Sequence, residues 1–543
     1  MNIKQNILKW YPFRENASVL EIYDNESILS KNTKNIKLQT CSIRNLVLKG
    51  SFDYITLIGT YEYAPVICDE EKSYSEFLKI LKKHLNKNGT ILIAIDNRLG
   101  VKYLAGGKSK EYSYIFEGME NKIQRKKSNL LLKQELIKFI NEAEFLNYKF
   151  YYPLPDYKFT NSIFTDKFLP KSNNSKILYP VKYDEGSRVL YNEINILKQI
   201  CDMGQFEQFT NSYLVEISDS KIDNDIKFVN YNIFRKNKYK LQLVMKENQV
   251  EKTAENLEAL EHIKTIESNI KKLEELGFNV LEKVEQQKII SKFVDKVELD
   301  KILIEIIEKN DKEYFNAEIE KWYSYIKNKL TKSNEEEIDI FSKYNIEVPI
   351  EKKRKLHFVK EGYIDLSFEN IFWENDYLLY DQEWYLENVP IQFILYRAIN
   401  NLYTYNEKKL QNKISKEELL EKFSLKEYET YFEELEKNIQ YEILNMEFFN
   451  EYQNETREYC KKIEEYDKTI IELEKRKDKE KKDEIEEIQR QNEKIISEEK
   501  IKYIQLMAEK KEIEEKYGEL LHEYNTSRGW KVIKTLRKVI RKK

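Results

Sequence analysis

Asp365, Asn370 and Asp381 carry side chains that one reaction needs in one place. Transfer of a phosphoryl group from a nucleotide needs a carboxylate to orient and deprotonate the attacking hydroxyl. It also needs an amide oxygen and a second carboxylate to hold Mg²⁺ against the phosphates. The stretch Tyr363-Ile-Asp-Leu-Ser-Phe-Glu-Asn370 sets Asp365 and Asn370 five positions apart, a spacing that a tight loop closes. Ile371-Phe-Trp373 and Tyr377-Leu-Leu-Tyr380 read as two short strands, and a hairpin built from them returns Asp381 beside Asn370. With 34% charged residues, Asp-x4-Asn also arises by chance, so the weight rests on the second Asp at a strand end. Asp365 is the expected base, Asn370 and Asp381 the expected Mg²⁺ ligands, and ATP the expected donor.

Such a loop needs a partner layer that grips the phosphates, with a strand lysine and a helix glutamate to position it. Leu241-Gln-Leu-Val-Met-Lys246 is an apolar strand ending in Lys, and residues from Val250 to Leu276 have the period of a long amphipathic helix. Lys246 is the expected phosphate lysine and Glu261 its partner, with Glu258 and Glu267 also in reach. An edge-strand lysine facing water is the competing reading of Lys246. Ile289 to Phe293 suits the strand that leads to the second lobe. No glycine lies between Gly204 and Gly277, so the loop over the phosphates is not glycine-rich. The Asp-Leu-x-x-x-Asn-Ile loop and Asp-x-Glu-Trp turn resemble the aminoglycoside-phosphotransferase and small-molecule kinase branch. Tyr363 stands where that branch often has His. The resemblance implies a two-lobed, α+β kinase-like domain over residues 176–410.

Upstream, Ser18-Val-Leu-Glu-Ile22, Tyr54-Ile-Thr-Leu-Ile58 and Thr90-Ile-Leu-Ile-Ala-Ile95 read as buried parallel strands. Tyr74 to Leu85 reads as a crossover helix stopped at Asn88-Gly89. This is an α/β doubly wound pattern. Leu8-Lys-Trp-Tyr-Pro-Phe13, Phe52-Asp-Tyr-Ile55, Ile95-Asp-Asn-Arg-Leu-Gly100 with Lys102-Tyr103, and Phe150-Tyr-Tyr-Pro-Leu-Pro-Asp-Tyr157 resemble class I S-adenosylmethionine methyltransferases of bacterial surface-polysaccharide clusters. The resemblance implies a methyltransferase-like domain over residues 1–175. Binding of S-adenosylmethionine calls for a glycine turn after the first strand, where the backbone must approach the ligand closely. Here Ile22 is followed by Tyr23-Asp-Asn-Glu-Ser27, without glycine. Only 29 residues separate Ile22 from Phe52, where two helix–strand passages would take on the order of 50. Asn35 to Thr40 is the one strand expected there. The pocket is therefore expected to be lost by deletion; a divergent turn that still binds the cofactor is the alternative.

After a helical connector over residues 411–458, a coiled coil is expected over 459–525. Ile463, Tyr466, Ile470 and Leu473, then Ile485, Ile488, Asn492 and Ile495, then Ile513, Tyr517, Leu520 and Tyr524 recur at three and four residues. As one helix it would span roughly 100 Å, with a charged interruption of the seam from Arg476 to Glu484 and homo-oligomerisation as the expected use. A solvated single helix is the competing reading. Residues 526–543 hold eight bases, Arg528, Lys531, Lys534, Arg537, Lys538, Arg541, Lys542 and Lys543, and no acid. Val532, Ile533, Leu536, Val539 and Ile540 share one face beside Trp530, the pattern of a helix lying in an anionic membrane surface. RNA or a protein groove are competing partners for this tail. The net charge of −3 gives no general reason to expect nucleic-acid binding. Cys41, Cys68, Cys201 and Cys460 lie far apart and away from the four histidines, so neither disulfides nor a zinc site is indicated.

Taken in order, these segments are similar to the bifunctional kinase-methyltransferases that terminate O-antigen and related glycan chains. The resemblance implies a glycan acceptor, a glycosyltransferase of the same pathway as partner, and a cytoplasmic location at the inner face of the plasma membrane. A non-catalytic scaffold that recruits glycosyltransferases stays open. So does an active divergent methyltransferase with Asp96-Asn-Arg98 at its acceptor side.

Overall fold

A computed structural model describes residues 3–29, 36–68, 73–108, 114–120, 130–171, 190–294, 296–333, 338–373 and 376–541. The boundary expected at 175 and 176, and Asn35, Lys542 and Lys543, lie outside the described residues. Residues 1–463 form one compact unit and residues 464–543 a second.

The first strands are β1 (Ala17–Tyr23), β2 (Ile36–Ser42), β3 (Phe52–Ile58) and β4 (Leu85–Asp96). They pair in parallel in the order β2-β1-β3-β4. The apolar runs of β1, β3 and β4 lack strict alternation because both faces are covered, whereas the edge strand β2 is partly exposed. Leu20, Ile22, Ile55, Leu57, Ile91 and Ile93 belong to one core, whereas Val19, Tyr54, Ile58, Leu92 and Ala94 belong to the other. The helix Ser73–Lys82 closes the first core with Tyr74, Phe77, Leu78 and Leu81, spaced three and four apart. Asn88-Gly89 does not end that helix. It lies inside β4, where Asn88 has φ +63° and the register against β3 shifts.

Beyond β4 the sheet continues through antiparallel strands. These are β5 (Asn147–Asp156), β6 (Phe159–Thr165) and β7 (Ser212–Ser218), with β7 inserted between β4 and β5. The first sheet thus takes a strand from well past residue 175. β8 (Phe228–Tyr231) pairs with β6, and β9 (Leu241–Met245), β10 (Gln249–Ala254), β12 (Lys283–Glu285) and β13 (Lys288–Lys292) complete one twelve-stranded sheet. The expected helix from Val250 to Leu276 divides. Val250 and Thr253 lie in β10, and the helix Leu260–Glu275 starts after Asn256, whose side chain accepts from Ala259 N.

A separate core gathers Trp322, Phe368, Ile394, Leu402, Phe432 and their neighbours around the helices Lys312–Lys329, Ile391–Leu410 and Glu429–Ile443. Two small sheets cross its surface. β14 (Phe358–Tyr363) pairs with β17 (Tyr385–Pro390), and β11 (Asn279–Val280) runs parallel to β16 (Tyr377–Leu379), itself antiparallel to β15 (Ile371–Trp373).

The helix Met446–Thr526 runs unbroken through Arg476 to Glu484. Ile470, Leu473, Ile485, Ile488, Ile495, Ile513, Tyr517, Leu520 and Tyr524 are exposed along it. A second helix, Arg528–Ile540, starts at Ser527, whose hydroxyl accepts from Trp530 N. Among the described residues no helix is long and apolar enough to cross a membrane.

Candidate functional site

The hairpin β15–β16 returns the chain to its start, and Tyr380 N donates to Asn370 O at 3.0 Å. Asp365, Asn370 and the Asp381 turn are thereby bonded into one cluster. Asn370 Nδ2 donates to Asp365 O at 3.2 Å and lies 3.5 Å from Ser367 Oγ. Its amide hydrogens are thus directed inward, which orients Oδ1, the atom a cation would use. Gln382 Nε2 donates to Asp365 O at 3.0 Å and to Tyr380 O at 2.9 Å. Asp381 has φ +58°, in the left-handed region that costs a non-glycine residue on the order of 1 kcal/mol. That turn is held by its neighbours.

The Asp365 carboxylate accepts from the main-chain N–H of Glu383 at 2.9 Å and of Trp384 at 2.8 Å, both on Oδ2. Oδ1 faces Arg397, whose Nη2 is 3.8 Å away and whose Nη1 binds Glu436 at 2.6 Å. Burial pushes Asp365 up to about 7, against the pull of Arg397, with Asp381 and Glu383 adding to the rise. Near neutrality the group therefore stands poised to take or release a proton.

The lysine at the cluster is Lys252. Lys246 forms an ion pair with Glu251 across the β9–β10 turn and makes no contact with Asp381. Glu261 is an exposed residue paired with Lys264. Both expectations are corrected for the same reason: β10 occupies sequence expected to be helical, and its inward face presents Lys252. The Lys252 ammonium pairs with Asp381, lies 2.9 Å from Glu282 Oε1 and is 3.9 Å from Glu383 Oε1. Burial disfavours its charge, but these three carboxylates outweigh it and hold Lys252 above the ordinary lysine range. Glu383 in turn meets Arg235 at 2.5 Å and His262 Nε2 at 3.5 Å, while Asn269 Nδ2 donates to its main-chain oxygen. The helix Leu260–Glu275 thus supports the Asp381 turn through Glu383.

Among the described residues no three His, Cys, Asp or Glu side chains are grouped as a self-sufficient metal centre. Mg²⁺ does not need one, because one or two protein oxygens with phosphate and water complete its octahedron. Asn370 Oδ1 and the Asp381 carboxylate fit that role. Lys252, Glu282, Glu383, Arg235 and Arg397 went unassigned in the sequence. For Lys252 the usable signal was the β-branched pair Val250 and Thr253, which favours a strand there.

The doubly wound sheet has its topological switch between β1 and β3, where such folds take ligands at the carboxyl ends of strands. Here that edge is filled by the chain itself. Glu21 accepts from Ile28 N at 2.6 Å, from Leu29 N at 3.1 Å and from Ser27 Oγ. Asp24 binds Arg44 at 2.7 Å. Gly59, φ +72°, ends β3 directly beneath Tyr157, and a Cβ there would lie 2.5 Å from the Tyr157 hydroxyl. Beside it Lys102 Nζ bridges Asp96 at 2.5 Å and Asp156 at 3.0 Å, and Lys158 reaches Asp96 at 3.0 Å. Burial opposes ionisation of Asp96, yet Lys102 and Lys158 bring it down to about 2. Glu62 is driven by burial up to about 8, with Asp96 adding to the rise and Lys158 opposing it. Tyr23 stands where a glycine turn would follow β1, and Asp96 and Asp156 are paired internally through Lys102 and Lys158.

No family model matches the chain, and no curated protein matches it. Among solved structures it is similar to an S-adenosylmethionine-dependent methyltransferase of Thermotoga maritima described as a possible histamine N-methyltransferase. That similarity has 16% identity and a TM-score of 0.22 over 40% of this chain and 88% of that one. An S-adenosylmethionine-dependent methyltransferase of Clostridium acetobutylicum gives 10% identity and a TM-score of 0.19 over 38% and 84%. PKMT2 of Rickettsia typhi gives 14% identity and a TM-score of 0.19 over 80% and 96%.

Proposed function

We propose that the chain is an ATP- and Mg²⁺-dependent, kinase-like phosphotransferase acting at a membrane surface on a cell-surface polysaccharide. Its methyltransferase-like part serves as a scaffold. The observation that carries this reading is the pairing of Lys252 with Asp381, in a turn whose neighbouring residues are hydrogen-bonded to Asn370 and Asp365. In it Asp365 takes the proton of the acceptor hydroxyl, Asn370 and Asp381 hold the metal, and Lys252 grips the phosphates. Mg²⁺ supplies neutralisation of the phosphate charge when bound. The glycan acceptor, the glycosyltransferase partner, a homo-oligomer through the exposed seam of Met446–Thr526, and a cytoplasmic, peripheral location at the inner face of the plasma membrane belong to the same proposal.

The direct test is thermal shift of the full chain with Mg-ATP against S-adenosylmethionine. Stabilisation by Mg-ATP alone is the expected result, and Asp381→Ala should abolish it while Asp365→Ala retains it. Stabilisation by S-adenosylmethionine alone would favour the divergent methyltransferase. Response to neither would favour the non-catalytic scaffold, a reading that the filled edge of the first sheet also supports.

The basic helix Arg528–Ile540 is the proposed membrane contact, since Val532, Ile533, Leu536, Val539 and Ile540 are exposed. Each base near an anionic surface contributes about 1 kcal/mol, and the apolar face adds about 25 cal/mol per Å² buried. Removal of residues 526–543 should leave a folded protein that no longer sediments with phosphatidylserine-containing vesicles. Replacing Trp530, Ile533 and Leu536 with Ser should weaken binding at unchanged charge. Undiminished sedimentation after truncation would place the contact elsewhere.

A further inference from the structure

We infer that Glu282 is the positioning residue of the phosphotransfer site, and that by holding Lys252 and the Asp381 turn together it makes nucleotide and Mg²⁺ binding interdependent. This rests on the phosphotransferase reading above. Glu282 follows β11, whose parallel pairing with β16 is extended by Leu281 N donating to Leu379 O at 2.9 Å. The pairing delivers residue 282 to the start of the Asp381 turn by main-chain register. One carboxylate oxygen of Glu282 then accepts from Lys252 Nζ at 2.9 Å, and the other from Asp381 N at 2.8 Å. The side chain is buried, so both contacts are made away from water.

The charges around Lys252 explain the interdependence. Without ligand, Lys252 neutralises the Asp381 carboxylate. Nucleotide phosphates arriving alone would draw Lys252 away and leave Asp381, Glu282 and Glu383 facing a polyanion. Mg²⁺ arriving alone would take Asp381 but meet the undisplaced ammonium. When both arrive, Asp381 turns to the metal and Lys252 to the phosphates, and no charge is left uncompensated. Glu282 keeps its grip on Lys252 and on the Asp381 main chain throughout, so the exchange does not scatter the two partners. The helix Leu260–Glu275 reaches the lysine only indirectly, through His262 and Asn269 acting on Glu383.

The test is calorimetric titration of the full chain with the non-hydrolysable ATP analogue AMP-PNP, with and without Mg²⁺. In the parent, Mg²⁺ should tighten nucleotide binding by about tenfold or more, within the usual range of coupling between sites. In Glu282→Gln the gain should fall to about threefold or less, while Glu261→Gln, altered on the exposed face of the helix, should retain the parental gain. A purely structural role would weaken both titrations equally and preserve their ratio. Should the Gln variant fail to fold, Glu282→Asp keeps the buried charge but is too short to span Lys252 and Asp381. It then carries the same comparison. A parent that binds no nucleotide removes the phosphotransferase reading itself; a parent that binds, with an undiminished Mg²⁺ gain in the Glu282 variant that folds, removes only the role of Glu282.

Discussion

Asp365→Asn is expected to slow the proposed phosphoryl transfer by about 10²- to 10⁴-fold, the usual contribution of a positioned base, while Mg-ATP affinity stays near parental. The asymmetry follows from the geometry. Asp365 has its Oδ2 bonded to the Glu383 and Trp384 amides and its Oδ1 toward Arg397, and it touches neither Lys252 nor a metal-ligating atom. Single-turnover assays with a hydroxyl acceptor should read the rate, and titration of the nucleotide should read the affinity. Because burial raises this carboxyl to about 7, the parental rate should fall as pH drops below that value and the base becomes protonated. The Asn variant should lack this limb. The same shift sets the sign of a stability effect. The folded chain retains the Asp365 proton between the ordinary 3.8 and about 7, whereas the unfolded chain has released it. Through that window rising pH therefore lowers stability, and the Asn variant should show a shallower decline. Full transfer activity in the variant would remove Asp365 from the reaction.

Lys102→Met is expected to cost about 3–5 kcal/mol of unfolding free energy, because it leaves Asp96 and Asp156 buried against each other without their shared cation. Lys246→Met, at a partly exposed pair with Glu251, should cost less than about 1 kcal/mol. Urea unfolding at pH 7 makes the comparison. Asp96 is depressed from 3.8 to about 2, so its pairing adds stability that is complete above 3.8 and is lost as pH falls toward 2. In the Lys102 variant that acid-side loss should shrink, since Lys158 alone holds the carboxylate. Unchanged stability in the variant would mean that the filled edge of the first sheet is not held by this network.

The reading of the sequence succeeded where one physical demand dominates a segment. β1, β3 and β4 are buried on both faces, so their apolar runs announced them. The Asp365 loop and the hairpin after it are local in sequence, so spacing alone brought Asn370 to Asp381. Lys246 was the lysine expected because β9 carries the stronger apolar run, whereas β10 is Gln-Val-Glu-Lys-Thr-Ala and owes its state to β9 and β13 on either side. That pairing is non-local and leaves little trace in composition. Glu282 had no legible signal, since its place depends on β11 meeting a strand almost a hundred residues away. At this edge only the glycine-poor turn was legible. Missing glycines pointed to Tyr23, while Tyr157 over Gly59 depends on how β5 enters the sheet.

The hydrogen bonds between β6 and β8 make the layer that carries Lys252 a direct extension of the layer that carries Asp96. Lobes joined by a flexible strap can open and close as separate bodies. Here β8, β9 and β10 share a ladder with the first sheet, so a shift of Lys252 relative to Asp365 must also drag or twist strands on the far side of β6. The two halves are therefore not interchangeable cassettes: separating them would bare the raw edges of β6 and β8, which invite pairing with other chains. Each half is held in place by completing the other's sheet, whatever chemistry it carries itself.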